Sequence, residues 1–322
     1  MDARFKDNYH AEIRPVDDET PRPVWSVLIP THNCADYLRE ALTSVLCQDP
    51  GSDRMEIIVV DDCSTRDDPA AVVRELGGDR VQFFRQKENV GKVRNYETGL
   101  QRSRGHLIHQ LHGDDRIRPG FYRTMGKLFE NNPQAGAAFC RSIYIDANGK
   151  WTCITGAEQY EDGIVPDFLK RIVIKQRIQT PAVVVRREVY EALGGFDRRF
   201  NCIEDWEMWI RVASQFPVAF SNNVLAEYRT HGNNATWETM TDGRLLDAHR
   251  RLLAIVDAYL TPDLVRDIKG ARGREQAEFF LHSATALRRG GERGKALRFL
   301  AHGLQLSKHP ATLYRAVRSL LK

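Results

Sequence analysis

What this chain lacks sets its bounds first. No apolar run approaches the roughly 18–20 residues that a membrane-spanning helix requires. Its six cysteines (Cys34, Cys47, Cys63, Cys140, Cys153 and Cys202) are scattered, with no CxxC pair and no metal-ligand spacing. They read as reduced thiols of a cytoplasmic protein, not as a disulfide framework or a zinc site. The first 23 residues are polar and partly acidic, unlike a signal or transit peptide. A glycine-rich phosphate loop is missing too: neither GxGxxG nor a Walker-type GxxxxGK sequence occurs. A bound nucleotide would need something else to neutralise its phosphates. The net charge of +4 is small, and no nucleic-acid partner is expected. It is unevenly spread, however, since Ala271–Lys322 holds 11 Lys and Arg against 3 Asp and Glu. A mildly acidic body with a basic tail suggests two regions with different partners.

What is present begins with two apolar runs that end in paired carboxylates. Met55–Val60 leads into Asp61-Asp62, and His106–Leu111 leads through His112-Gly113 into Asp114-Asp115. In open α/β sheets ligands bind just outside the carboxyl ends of the strands. Carboxylates crowded there repel one another unless a cation or a donor-rich ligand lies between them. A divalent ion held by Asp114 and Asp115 would bridge phosphate oxygens, and the pattern reads as a metal-dependent nucleotide site. Each Asp pair taken alone is equally a helix cap or a turn.

The same alternation runs through the first half of the chain. A strand at Val24–Pro30 precedes a helix in which Leu38, Leu42, Val45 and Leu46 recur at helical spacing. A helix near 69–76, a strand at Arg80–Arg85, a helix over about 91–102 and one from Pro119 to about Asn132 follow. This predicts an α/β fold with a mostly parallel, Rossmann-like sheet covered on both faces. Ala137–Ile145 and Trp151–Thr155 predict a hairpin turning at Asn148-Gly149, Pro181–Val185 another short strand, and Glu204–Phe216 a helix. From about Thr239 only helical periodicity remains. There Ala277, Phe280, Leu281, Ala284 and Leu287 are expected to face Ala296, Leu297, Leu300, Ala301 and Leu304 in a single tetratricopeptide-like hairpin. The expected organisation is an N-terminal extension over 1–23, a domain over 24–238 with halves at 24–116 and 117–238, and a helical region over 239–322.

Several motifs in order resemble the family 2 glycosyltransferases of the GT-A fold. They are Ser26–Asn33, Ile57–Ser64, Asn89–Asn95, Leu111–Asp115 and Glu204–Glu207, spread over about two-thirds of the chain. The resemblance implies an inverting enzyme that moves one sugar from a nucleotide-diphosphate sugar, UDP by default, using Mn²⁺ or Mg²⁺. It implies that Pro30, Thr31, Asn33, Asp62, Arg94, His112, Gly113 and Asp114 bind the donor. Asp114 and Asp115 occupy the metal position, with His231 of Tyr228–Asn234 completing the shell. The common form carries Asp where this chain has His112. Glu204-Asp205 matches an acid pair in which the Asp is general base, needed because a sugar hydroxyl is a poor nucleophile.

Trp206, Trp209 and Trp237 are candidates to stack on acceptor sugars, although Trp206 and Trp209 fit a core equally well. The Gln-x-x-Arg-Trp motif of processive synthases is missing, which favours single addition to a glycan or lipid-linked acceptor of a cell-surface polysaccharide. Leu313, Val317, Leu320 and Leu321 share one face of a basic final helix carrying Arg315, Arg318 and Lys322. That helix suggests peripheral contact with an anionic membrane at its cytoplasmic face, and packing on a neighbouring helix explains it as well. The C-terminal helices are also a surface for self-association. Two other readings stay open: a nucleotidyltransferase-like enzyme, disfavoured by Pro30–Asn33 after the first strand, and a non-catalytic scaffold.

Overall fold

The computed structural model describes residues 8–17, 21–231, 239 and 242–321, with side chains to Ala316 at the C-terminal end. The expectations placed on Trp237, on Gly232–Asn234 and on the side chains of Val317, Arg318, Leu320, Leu321 and Lys322 therefore lie outside the described residues. The chain forms two units. The first comprises the residues up to Pro166, Ile178–Arg199 and Gln215–His231; the second comprises Asp167–Arg177, Phe200–Ser214 and the described residues beyond His231.

The first unit is an α/β layer structure. Its strands are β1 (Trp25–Thr31), β2 (Met55–Asp61), β3 (Gln82–Arg85), β4 (Leu107–Gln110), β5 (Arg116–Ile117), β6 (Ala137–Ile145), β7 (Trp151–Ile154), β8 (Gly163–Ile164), β9 (Val183–Arg186) and β10 (Val218–Arg229). They make one sheet in the order β3-β2-β1-β4-β9-β6-β10-β5, with β7 paired to β6 and β8 to β10. The β3-β2-β1-β4 run is parallel, as is β6 with β10, while β9 runs antiparallel to both β4 and β6. Every residue of β1 is buried, as a strand covered on both faces must be. The covering helices include α1 (Ala35–Leu46), α2 (Pro69–Leu76), α3 (Lys92–Arg102), α4 (Phe121–Asn131) and α6 (Arg187–Leu193). Leu38, Leu42 and Val45 of α1 join Val27, Ile29, Ile57 and Val59 in the core.

The predicted hairpin forms, with β6 and β7 antiparallel about the Asn148-Gly149 turn. The long β10 carries no alternation clean enough to read as a strand, because two register shifts between Ser221 and Ala226 break it. The extension is not a separate tail over 8–17. Ala11 and Ile13 are buried, Gly195 N–H donates to the Ala11 carbonyl, and Arg187 donates to the Arg14 carbonyl at 3.0 Å.

The second unit is helical: α5 (Phe168–Ile174), α7 (Glu204–Ala213), α8 (Arg244–Val256), α9 (Pro262–Arg289), α10 (Arg293–Leu306) and α11 (Pro310–Leu321). Two of its helices come from within 24–238, so the units do not divide at 238/239 alone. The α9–α10 hairpin forms, and Ala277, Phe280, Leu281, Ala284 and Leu287 are buried as expected. On α10 the inward face is Ala296, Phe299, His302 and Gly303, while Leu297 is 56% exposed and Ala301 is also exposed. The inward face is rotated from the expected one because the small Gly303, invisible to an apolar count, packs on α9: a Cβ there would lie 3.2 Å from the Ala277 carbonyl oxygen. Among the described residues, no helix is long and apolar enough to cross a membrane.

Candidate donor and metal site

Three strand ends build the site of the first unit. Thr31 pairs with Asp61 across β1 and β2, while Leu111 N–H donates to Leu28 and Gly113 N–H to the Pro30 carbonyl. Those two bonds extend the β1–β4 ladder and bring Gly113 onto Thr31. A Cβ on Gly113 would lie 3.0 Å from Thr31 Oγ1 and 3.1 Å from Cys34 Sγ, so only glycine fits without displacement. Beneath it Thr31 Oγ1 and Cys34 Sγ are 3.0 Å apart. Burial, with the nearby Asp114 charge adding to it, pushes the Cys34 thiol up to about 12.

The first carboxylate pair divides its labour. Asp61 is fully buried, accepts from Ser64 N–H and Oγ–H, and has Arg85 at 3.2 Å. Asp62 accepts from Val90 N–H at 2.7 Å and Gly91 N–H at 3.0 Å, tying the end of β2 to the loop that starts α3. Asn33, in the left-handed region at φ 52°, accepts from Thr65 and Arg66 N–H and so locks the loop after β1. In this structure Asp62 and Asn33 hold the loops that follow β1 and β2. Arg94 is exposed on the first turn of α3.

The second pair is asymmetric. Asp115 is 1% exposed; its Oδ1 accepts from Arg229 N–H at 2.8 Å, and its Oδ2 is buried with no hydrogen-bond partner. Burial and the adjacent Asp114 push the Asp115 carboxyl well above its ordinary value. Burial would raise Asp114 as well, but the His231 hydrogen bond and the His112 and His231 rings outweigh it, holding that carboxyl below its ordinary value. His231 Nε2 lies 3.1 Å from Asp114 Oδ2, and its ring tilts over Tyr37 at 5.2 Å. His112, Asp114 and Asp115 place ligand atoms within 4.8 Å of one another. A buried carboxylate oxygen without a donor, beside a second carboxylate and an imidazole, fits a divalent cation.

Arg229 lies in the Tyr228–Asn234 segment, where the sequence pattern gives it no role. Its buried guanidinium donates to the Asp114 carbonyl, to the Asp146 and Ala147 carbonyls and to Glu40, and stacks 4.4 Å over Tyr37. One side chain thus joins the Asp114-Asp115 loop, the β6–β7 turn and α1.

Glu204 and Asp205 open α7 in the second unit. Ile203 precedes them at φ 56°, a conformation costing a β-branched residue about 1–3 kcal/mol. Glu204 is buried; Asp205 is half-buried and accepts from Gln176 Nε2 at 3.1 Å and from Trp206 N–H at 2.8 Å. Nothing in the sequence marks Gln176. Trp206 and Trp209 are 8% and 1% exposed, and Trp206 Nε1–H donates to the Ile172 carbonyl at 2.7 Å. Both indoles belong to the core of this unit, which corrects the expectation that they stack on sugars: the i, i+3 spacing follows the inward face of α7.

Comparison with known proteins agrees with this geometry. Residues 26–194 match the profile "Glycosyl transferase family 2". An uncharacterized protein of Mycobacterium tuberculosis, MT1568, is 30% identical over 76% of this chain and 79% of its own length. The fold resembles Staphylococcus aureus TarS 1-349 in complex with UDP-GlcNAc: TM-score 0.57, 15% identity, 87% of this chain and 91% of that one. It also resembles the mannosyltransferase PcManGT of Pyrobaculum calidifontis in complex with GDP-Man and Mn²⁺: TM-score 0.58, 19% identity, 99% and 84% covered. With more than half of its length matched and its strand-end carboxylates in family order, this chain belongs to glycosyl transferase family 2 and is a glycosyltransferase.

Proposed function

We propose that the enzyme moves one sugar, with inversion, from a nucleotide-diphosphate sugar to a hydroxyl of a glycan or lipid-linked acceptor, with a divalent metal at Asp114 and Asp115. What carries the reading is the convergence of Thr31, Asp62 and the Asp114-Asp115 pair at three neighbouring strand ends, with one buried carboxylate oxygen of Asp115 lacking a donor. Thr31, Asp62 and Arg94 attend the nucleobase end, and His231 stands beside Asp114. The relatives bind UDP-GlcNAc and GDP-Man, and we take UDP as the default nucleotide.

In the reaction the acceptor oxygen forms a bond to the anomeric carbon while the bond from that carbon to the diphosphate oxygen breaks. The nucleoside diphosphate leaves with the electron pair, and the acceptor proton passes to Asp205, which Gln176 orients. A bound cation supplies charge neutralisation for the leaving diphosphate. We place the enzyme in the cytoplasm, making cell-envelope polysaccharide, with its basic C-terminal tail toward an anionic membrane.

A thermal-shift panel of UDP- and GDP-sugars with and without Mn²⁺ tests this reading. A true donor at 100 times its dissociation constant stabilises the protein by about 2.7 kcal/mol. No metal-dependent shift with any nucleotide-sugar would remove the proposal.

A further inference from the structure

We propose that His112 is itself a metal ligand, so that an imidazole joins Asp114 and Asp115 around the ion and tilts the site from Mg²⁺ toward d-block cations. The inference rests on the donor-and-metal reading above and gives His112 a role other than ribose binding.

The geometry separates the two histidines of the site. His231 Nε2 meets Asp114 Oδ2 at 3.1 Å and stands outside the cluster in which every donor lies within 4.8 Å of the others. His112 is inside it, with Nδ1 at 3.9 Å from Asp115 Oδ2. Two metal–ligand bonds of about 2.0–2.2 Å span such a separation. Asp115 Oδ1 already accepts from Arg229 N–H, which leaves Oδ2, the buried oxygen with no donor, nearest the imidazole. The two groups share one ion.

The His112 ring is held in place for this role. It stacks on Tyr96 at 5.3 Å with planes 19° apart, and Tyr96 is 6% exposed and braced edge-on by Phe196. Its far nitrogen, Nε2, is 3.3 Å from the amide nitrogen of buried Gln110, whose own Oε1 is buried and has no hydrogen-bond partner. Amide nitrogen and oxygen are interchangeable by a half-turn of the group. With Oε1 facing the ring, Gln110 accepts from Nε2–H, satisfies its orphaned oxygen and leaves the Nδ1 lone pair toward Asp115. Metal-bound histidines commonly donate their second N–H to such an acceptor, and that contact fixes the tautomer. Gln110 is then a positioning residue, and His231 acts through Asp114.

Imidazole is a good donor for Co²⁺ and Zn²⁺, whereas Mg²⁺ is held through carboxylates, phosphates and water. The chain should therefore discriminate against Mg²⁺ more strongly than an all-carboxylate site does.

The test uses the full chain, alone and with saturating UDP or GDP. Pulsed EPR of the Mn²⁺-loaded protein reads ligand nitrogen directly, and competition titration gives the Co²⁺/Mg²⁺ affinity ratio. The wild type should show nitrogen coupling, lost in His112→Ala and retained in His231→Ala. The Co²⁺/Mg²⁺ ratio should fall about tenfold or more in His112→Asp, and Gln110→Met should weaken Co²⁺ about 10–100-fold. Melting temperatures confirm folding; if His112→Ala does not fold, His112→Asp serves both measurements. Nitrogen coupling that survives in the His112 variants, an unchanged ratio in His112→Asp, or no metal binding in any arm overturns the inference. Intact nitrogen coupling without nucleotide or sugar-donor binding would instead defeat the functional reading and leave this one standing.

Discussion

At the scale of single residues, the carboxylate assigned to proton transfer makes a prediction separable from donor binding. Asp205→Asn keeps size and one of the two hydrogen bonds accepted from Gln176 and Trp206 but removes basicity. Sugar transfer should fall about 10²–10⁴-fold. Nucleotide affinity by calorimetry and the melting temperature should barely change, because donor contacts are assigned to Thr31, Asp62 and Asp114. Parallel loss of donor binding would refute the assignment. Arg229 makes a structural prediction. Replacing it with Met leaves the carbonyls of Asp114 and Ala147 without this donor, while the Asp146 carbonyl keeps Gly149 N–H and the Glu40 carboxylate keeps Arg116. Denaturant unfolding of Arg229→Met should show a loss of about 3 kcal/mol, with weaker metal binding. Asp114 and Asp115 were legible because two apolar runs ended alike. Arg229 was not, since a buried arginine is identified by the carbonyls around it and those come from three distant segments. Trp206 and Trp209 misled for the complementary reason: a large aromatic has the same letter whether it faces a sugar or a core.

At the scale of elements, the strands and helices up to Asn132 other than the two-residue β5 were readable, because β1 and β2 are continuous apolar runs and α1 keeps its stripe. The short α5 and the bulged β10 were not, since neither holds one period long enough. The helical unit carries its own pH sensitivity. His249 of α8 is buried, with Nδ1 at 3.1 Å from His302 Nε2 of α10 and Nε2 at 3.1 Å from Gln276 Oε1 of α9. Burial, then His302 and the Arg272 and Arg250 charges, bring His249 down to about 3, and burial lowers His302 as well. Both groups take up protons more readily unfolded, so their contribution is intact near neutral pH and fades as pH falls below about 6.5. Each should cost up to about 1.4 kcal/mol per pH unit until its folded value is reached. Melting curves from pH 7 to 4 should therefore fall less steeply for His249→Phe than for the wild type. Equal slopes would exclude this pair as the source.

At the scale of the whole molecule, the chain passes between its two units five times, at 166/167, 177/178, 199/200, 214/215 and 231/232. The division expected at 238/239 followed a change of periodicity, which cannot register two short segments that pack with helices far ahead of them. The helix bearing Glu204 and Asp205 belongs to that set. Its neighbours are α5 and α8; Trp206 lies against His249, Glu207 accepts from Tyr259 at 2.7 Å, and Val173 of α5 accepts from Gln276. A chain cut after residue 238 should therefore bare the apolar sides of α5 and α7. It should aggregate or melt well below the intact protein in calorimetry, whereas a stable monomer with native-like melting would contradict this.

That arrangement also sets an order of events during synthesis. The strands and loops of the unit that carries the proposed donor site are complete once His231 has emerged, and domains fold as they leave the ribosome. The helix with the proposed base Asp205 is translated among them, yet the Tyr259 and Gln276 of its unit are made later. On the proposed assignments, a nascent chain holds a nucleotide-sugar before its base is fixed in place, and the ability to transfer the sugar matures last.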